Sequence, residues 1–319
     1  MNGERDRSAV RRRALLSAVG SAVGVSAVGT TTARDAESGG SRRCPDATIR
    51  TDMDHCEGAS MERCADDHPE TIELREQASE TIDTQYPTVG SLLEEEFLPY
   101  FDIKRPGATA GWSHWLSPEY IGDDTLVDPD RPESILVDNE SWRPIGVMFI
   151  ATVDGDPVDP PTLYAASASD NGDSIDDGAN GDSSHEGADD GSSHSETDHA
   201  ETDHEGTGDE NRCSPWHYHR GLPGRLAWAY YRQVHERDYE EGELSVPCRT
   251  PCMMHVWTVP HPEGVFAHDA PPPEYRGGPP VADPGFETDA DPDEEPLGWD
   301  ALPDDAVPDR KPRDLLTSW

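Results

Sequence analysis

The sequence predicts an α+β fold in which N-terminal helices pack on a mainly antiparallel sheet. Helix-forming composition is concentrated at 69–97, and β patterns dominate from 134 onward. Segregation of this kind favours α+β over an alternating doubly wound arrangement. Residues 165–211 interrupt the β region and contain almost no apolar side chains. Because such a segment cannot bury enough surface to offset its ordering entropy, we predict one folded domain with a long disordered acidic insertion and a disordered tail.

Two helices are predicted at the start of this domain. Pro69–Gln85 places Ile72, Ala78 and Ile82 among charged residues, as an amphipathic helix does. Val89–Phe97 has the composition of a second, shorter helix. A third helix is predicted further along, within 225–237.

The β patterns begin with a hairpin formed by Ser134–Val137 and Trp142–Val153. Residues 147–150 are apolar at consecutive positions, which predicts that the second strand lies at the centre of the sheet. Another strand is predicted at Met253–Val259. Alternation along the second hairpin strand places five apolar side chains on one face: Ile145, Val147, Phe149, Ala151 and Val153.

These patterns divide the chain into five parts. They are a signal peptide at 1–33, a cysteine-containing arm at 34–69, a single α+β domain made of 70–164 and 212–268, the insertion at 165–211, and a Pro-rich acidic tail at 269–319. The tail is predicted to be extended. Its apolar residues are candidates for packing back onto the domain: Trp299, Leu315, Leu316 and Trp319.

The N-terminus has the features of a twin-arginine export signal. Arg12 and Arg13 stand directly before a weakly apolar run, Ala14–Gly29. This run is shorter than the roughly 20 apolar residues that a spanning helix needs. We therefore predict cleavage near Ala33 and a mature protein that lies in the extracellular space or at the cell surface, with no membrane span.

The charge balance is strongly acidic, with 66 Asp and Glu against 25 Lys and Arg and a net charge of -41. Self-repulsion on this scale is screened at molar salt, where the Debye length is about 3 Å. The composition therefore predicts a protein of an extremely halophilic archaeal host. It argues against nucleic acid and anionic membrane as partners. A dedicated cation buffer is the alternative interpretation of the acidity.

Six cysteines suit an exported protein, in which disulfides persist. Three lie near the mature N-terminus and three in the second half of the chain, so at least one bridge must join the two groups if all six pair. Zinc ligation by thiols is the weaker alternative, since no Cys-x-x-Cys spacing is present. The two groups are Cys44, Cys56 and Cys64, and Cys213, Cys248 and Cys252.

Four histidines in aromatic surroundings form a candidate metal site. His217 and His219 project from the same face of an extended strand, close enough to reach one ion. Together with His114 and His255 they provide the imidazole ligands of a Zn or Cu site, and Met253 is a soft ligand if the metal is copper. The alternative is that these are half-buried histidines whose ring nitrogens bond to backbone carbonyls.

Three segments of the chain match sequence motifs, and two local predictions accompany them. Pro262-Glu263-Gly264 predicts a turn with Gly264 at positive φ. Glu133 is either a carboxylate that orients a ligand histidine or a solvated strand start. The matched residues are Gly111, His114 and Pro118, then Leu126, Asp128, Pro129, Pro132 and Glu133, then His255, Trp257, Pro262, Gly264 and Phe266.

At these positions the chain resembles an uncharacterised family of exported bacterial and haloarchaeal proteins. The family shares a Gly-x-x-His-x-x-x-Pro segment, a Leu-x-Asp-Pro-x-x-Pro-Glu segment and a His-x-Trp strand that leads into Asn-Pro-x-Gly-x-Phe. The chain departs from the family at His261, where members carry Asn, and at 269–271, where many have Trp-Asn-Pro. The resemblance implies a shared site at His114 and His255 and names no activity.

Two functions from different classes remain. The first is an exported metal-binding protein whose site is built from the four histidines. The second is a metal-free extracellular or cell-surface domain, held by disulfides and a Trp-rich core, that binds a partner or is structural. No serine nucleophile elbow, phosphate-binding glycine loop, zincin motif or dinucleotide fingerprint occurs in the sequence. Whether the protein is an enzyme is therefore open.

Overall fold

The computed structural model describes residue 44 and residues 47–61, 63–101, 111–165, 212–236 and 246–312. Within these ranges the chain forms four α-helices and eleven strands. The helices are α1 (Pro69–Thr84), α2 (Val89–Glu94), α3 (Pro118–Ile121) and α4 (Leu222–Glu236). The strands are β1 (Met53–His55), β2 (Leu98–Tyr100), β3 (Trp112–Leu116), β4 (Ser134–Asp138), β5 (Arg143–Ile150), β6 (Thr152–Val153), β7 (Asp156–Pro157), β8 (Tyr164–Ala165), β9 (Arg212–Cys213), β10 (His217–His219) and β11 (Met253–Trp257).

Seven strands form one antiparallel sheet in the order β1-β10-β11-β5-β4-β3-β2. This architecture confirms the α+β prediction. Strand β5 is the middle strand of the seven, as its apolar residues on both faces predict. The pairs β6–β7 and β8–β9 form two small additional sheets.

The predicted elements occur close to their expected bounds. Helix α1 begins at Pro69, and its preceding residue, His68, accepts a hydrogen bond from the backbone N–H of Glu70 through Nδ1. Helix α2 is shorter than predicted and begins with a capping box between Thr88 and Ser91. Strands β1, β2 and β3 were not predicted as strands, because each is short and has no clear period-two pattern.

The two faces of the main sheet are covered by different helices. On the first, which we call the α1 face, Ala78 and Ile82 of α1 pack in one apolar cluster with side chains of β5 and β11, including Phe149 and Met254. The opposite face, the α4 face, packs against Trp228 and Tyr231 of α4. Outside bulges, every second residue of each strand points to the α4 face and the others point to the α1 face. Neighbouring residues of one strand therefore pack in different environments.

One predicted orientation is wrong. Ile145 packs in the cluster on the α4 face, whereas Val147, Phe149 and Ala151 pack in the cluster on the α1 face. The register of β4 and β5 shifts between Leu136 and Val137, so the alternation is broken at Ile145. A β-bulge of this kind re-aims one side chain, and the sequence pattern alone does not reveal it.

Three disulfides join the arm to the second half of the chain, and the six cysteines are thus fully paired. They are Cys44–Cys248, Cys56–Cys252 and Cys64–Cys213. All three bridges cross between the two groups, where the sequence required at least one. Disulfides of this kind are compatible with an extracellular or secreted protein.

Residues 269–312 follow an irregular path with two 3-10 helices, Pro273–Tyr275 and Trp299–Ala301. This part of the tail is more closely packed than predicted: Leu297 is buried, and the indole of Trp299 lies 4.9 Å from the ring of Phe101. Apolar side chains thus hold an acidic segment against the domain.

The predicted signal peptide, most of the predicted insertion and three of the tail residues lie outside the described residues: Leu315, Leu316 and Trp319. Among the helices that are described, none is long and apolar enough to cross a bilayer.

Candidate metal centre

The four histidines singled out in the sequence project from the α4 face of the main sheet. His217 of β10 pairs with Met253 of β11, and His255 lies two residues further along β11, on the same face. His219 follows on β10. His114 reaches this face from β3, which is separated from β11 by strands β5 and β4. The sheet therefore brings together residues that are up to 141 positions apart in the chain, from His114 to His255.

The imidazole rings are neighbours. The ring centroid of His217 lies 5.4 Å from that of His219 and 5.1 Å from that of His255. The rings of His255 and His114 are 5.8 Å apart. Two imidazoles that share one tetrahedral zinc ion have centroids about 5 Å apart, because each ligand nitrogen lies about 2.0–2.1 Å from the metal. Three of the six ring pairs that these four histidines form thus have a spacing close to that of co-ligands.

Ring nitrogens of His217, His219 and His255 are buried and lack partners among the described residues. His217 is 0% exposed and His255 is 1% exposed. Both nitrogens of each ring have no hydrogen-bond partner among the described residues, and the same holds for Nδ1 of His219. A buried polar atom without a partner costs about 1–3 kcal/mol, so this arrangement is unfavourable unless another group satisfies it. The backbone-bonded histidine of the alternative interpretation is not seen at His217. At His255 the backbone of His268 acts on the ring and opposes the lowering of its pKa, although the contact falls short of hydrogen-bond geometry.

Burial keeps these histidines neutral. Desolvation lowers the pKa of His114 to about 3, with a further contribution from the nearby charge of His219. It lowers the pKa of His219 to about 4. The pKa values of His217 and His255 are also lowered, first by desolvation and then by the neighbouring histidines. The neutral imidazole is the form that binds a transition metal.

Two histidines that the sequence analysis did not select belong to the same cluster. The ring of His268 lies 4.3 Å from that of His217, and its Nε2 has no partner among the described residues. His55 of β1 lies directly opposite His217 and 5.3 Å from His268 between ring centroids. His268 follows an irregular segment and His55 lies in a short polar strand, so neither has a periodic signal.

Two hydrogen bonds from Trp257 place His268 beside the sheet. The backbone N–H of Trp257 donates to the carbonyl of Val265, and its indole Nε1 donates to the carbonyl of Ala267 at 2.8 Å. Gly264 has φ 96°, so the predicted turn is confirmed, and it returns the chain toward β11. The position of His268 is thus a consequence of tertiary contacts.

His219 is held from two sides. Its backbone N–H donates to Oγ1 of Thr250, and its carbonyl accepts from the N–H of Thr250. On the other side, helix α4 approaches so closely that a Cβ at Gly224 would lie 2.5 Å from Cβ of His219. Glycine is required here for the helix to cover the histidine.

A cavity of about 170 Å³ lies next to the cluster. His114, His219, His255 and His268 line it, together with apolar side chains of the sheet and of α4. The cavity therefore lies between the histidine cluster and α4 and has room for a small molecule.

The rings are adjacent but do not meet at one point. Among the residues that the structure describes, no three His, Cys, Asp or Glu side chains are arranged as the ligands of one ion. Coordination would need rotation of the imidazole rings about their side-chain torsions, with the backbone positions kept.

Glu133 takes neither of its two expected positions. It is 2% exposed, so it is not a solvated strand start, and its Oε2 accepts a hydrogen bond from the backbone N–H of Ile150, not from a histidine. Desolvation raises its pKa to about 8. Glu133 therefore tightens the sheet between β4 and β5 and does not orient a ligand.

Comparison with known proteins gives no match to a family model, to a curated protein or to a solved structure. The resemblance of the three segments to the uncharacterised family stays a prediction. The geometry of the histidine cluster is therefore the basis on which function is inferred.

Proposed function

We propose that this disulfide-linked protein binds a transition metal, Zn²⁺ or a copper ion, through His114, His217, His219 and His255. The observation that carries the proposal is the set of buried ring nitrogens of His217, His219 and His255 that have no partner among the described residues. The ring of His114 lies next to that of His255. A bound metal would satisfy one ring nitrogen of each ligand histidine and offset its desolvation cost.

His217 is the central ligand in this proposal, because its ring is adjacent to those of both His219 and His255. His114 borders the cavity and completes the set on the far side of His255. If the ion is copper, the thioether of Met253 is available as a soft ligand, because Met253 pairs with His217 and also lines the cavity. An ion held here would have one side toward the cavity, as in sites that bind or exchange a further ligand.

The test is metal content and affinity of the protein purified in high salt without a histidine tag. Deletion of residues 166–211 gives a variant without the histidines of the insertion. Its ends can be rejoined by a short turn, because Ala165 and Arg212 are directly paired in β8 and β9. We expect one Zn or Cu per chain in the parent and in this deletion variant, measured by elemental mass spectrometry.

The double variant His217→Ala/His255→Ala should lose this metal, and the single variant His114→Ala should bind it more weakly. Loss of a partner outside the ligand set already costs about 10–100-fold in affinity, so loss of a ligand should exceed that range. His68→Ala is the matched control, since His68 stacks on Tyr164 at 3.7 Å and caps α1. Metal-free parent protein, or metal binding unaffected in the double variant, would refute the proposal.

A metal-free structural or partner-binding domain is the second candidate. The observation that favours it is the absence of three converged ligands in the described part of the chain. The three disulfides and the buried tryptophans account for a stable extracellular domain without an ion. The same metal titration separates the two candidates.

We further propose export by the twin-arginine route and adaptation to molar salt. The arginine pair at Arg12 and Arg13 and the net charge of -41 support these two points. Replacing both arginines by lysine should retain the protein in the cytoplasm. Transferring the protein from molar salt to about 0.1 M salt should lower its unfolding temperature, because charge repulsion is then less screened.

A further inference from the structure

The cavity beside the histidine cluster has mostly apolar walls. Its sheet side is formed by Leu116, Met148 and Ile150, and Trp228 of α4 covers it from the opposite side. The indole of Trp112 forms another wall, 4.5 Å from the ring of His114. Aromatic and aliphatic walls of this kind favour an apolar ligand body.

The cavity is large enough to enclose about one ring. An apolar cavity of about 150 Å³ accommodates benzene, and this one measures about 170 Å³. Typical pockets for larger ligands begin at about 300 Å³. Nucleotides, oligosaccharides and peptides are therefore too large to be enclosed here.

The polar groups of the cavity favour a neutral ligand with a hydrogen-bonding end. Among the described residues that line it, there is no Lys or Arg, and Asp269 is the single acid. The hydroxyls of Tyr100 and Thr250 already donate to the backbone carbonyls of Pro223 and Pro251. The lining also contains ring nitrogens of His219, His255 and His268 that have no partner among the described residues. A neutral imidazole both donates and accepts a hydrogen bond, so it suits a hydroxyl group.

We propose that this cavity binds a small neutral one-ring molecule that carries a hydroxyl group, of the phenol class. The ring lies between Trp112 and the aliphatic side chains of β3 and β5, and the hydroxyl group points to the histidines. The site goes beyond the proposed metal function and does not need a bound ion.

The probe for the test is 4-fluorophenol, titrated into the full chain in high salt with EDTA and followed by ¹⁹F NMR and tryptophan fluorescence. We expect saturable binding. 4-Fluorobenzoate, an anion of similar size, should not bind, because burying its charge without a cationic partner is costly. Since EDTA is present throughout, failure of metal binding would not change this readout.

Two variants fill the cavity from opposite sides, so that the test does not depend on one of them folding. Ala227→Phe acts from α4 and Ile150→Phe acts from β5. Each should weaken phenol binding by about tenfold or more, since the added ring occupies the ligand volume. Ala282→Phe, at an exposed residue of the irregular tail, is the matched control and should leave binding unchanged. Absence of saturable binding, equal binding of the anion, or equal binding by both filled variants would overturn the proposal.

Discussion

The two faces of the main sheet are built from the same strands and have opposite character. Phe149 and Met254 point to the α1 face and are fully buried in a large apolar cluster. Their chain neighbours Met148 and His255 point to the α4 face, where they border a cavity and unpaired imidazoles. One strand thus alternates between a position that stabilises the fold and a position that is available for binding.

The contrast between the two faces shows where the chain tolerates unfavourable groups. Buried nitrogens without partners cost free energy, and the α4 face contains several of them. The α1 face and the three disulfides supply the stability that makes this arrangement possible. Functional sites in proteins often have such locally unfavourable features, offset elsewhere.

The largest expected effect is on the α1 face. Phe149→Ala should lower the free energy of unfolding by about 3–5 kcal/mol, because it removes a fully buried ring and leaves a cavity. Met148→Ala, the matched change on the α4 face, should cost less, about 2 kcal/mol, because Met148 already borders open space. Denaturant unfolding in high salt with EDTA measures both values. Equal losses would mean that the two faces do not differ in packing.

The second effect separates two disulfides. Replacing Cys56 and Cys252, or Cys64 and Cys213, by alanine should cost about 3 kcal/mol in either case, which is a typical loss on removal of a native disulfide. Only the first pair should also weaken metal binding, since Cys252 directly precedes the strand that carries His255. Thermal unfolding and zinc titration of both variants test this. Equal loss of zinc affinity in the two variants would contradict it.

The third effect is acid sensitivity of the α4 face. The ordinary pKa of histidine is 6.5, and in the folded protein it is lowered to about 3 at His114 and to about 4 at His219. Between pH 6.5 and the lowered pKa of each histidine, the unfolded chain binds a proton at that residue and the folded chain does not. Stability is therefore present above pH 6.5 and is lost as the pH falls through about 4 and then 3.

The measurement is the free energy of unfolding of metal-free protein as the pH is lowered from neutral. His219→Gln should reduce the loss between pH 6.5 and 4 by about 1–2 kcal/mol relative to the parent. An unchanged slope in His219→Gln would show that His219 is not protected from protonation.

The smallest effect concerns Glu133. Here stability is lost as the pH rises, whereas at the histidines it is lost as the pH falls. Burial raises its pKa from 4.5 to about 8, so its contribution to stability is present below pH 4.5 and is lost as the pH rises through about 8. Glu133→Gln keeps an acceptor for the N–H of Ile150 and removes the charge. The variant should match the parent near pH 5 and exceed it by about 1 kcal/mol above pH 8. A parent that is equally stable at both pH values would contradict this.

The parts of the fold that the sequence predicted are those with a regular pattern. Helix α1 is marked by charged and apolar periodicity, and strand β5 by its apolar run. The pair His217 and His219 was predicted to share a face because a strand alternates with period two. These features depend on near neighbours in the chain and are therefore visible in it.

The parts that were missed depend on distant contacts. His268 joins the cluster through the bonds of Trp257 to the segment after Gly264, and His55 does so by pairing with His217. The connectivity of the disulfides was open for the same reason. The direction in which the side chain of Ile145 points depends on a register shift between β4 and β5, and the sequence of one strand does not encode that shift.

The long separations of the disulfides set an order of events during synthesis. The partners are 204, 196 and 149 residues apart, so each arm cysteine leaves the ribosome well before its partner exists. Strand β1 likewise can pair only after β10 has been synthesised. The arm is therefore synthesised first, and its disulfides form last. The histidine cluster is assembled only when the chain is nearly complete.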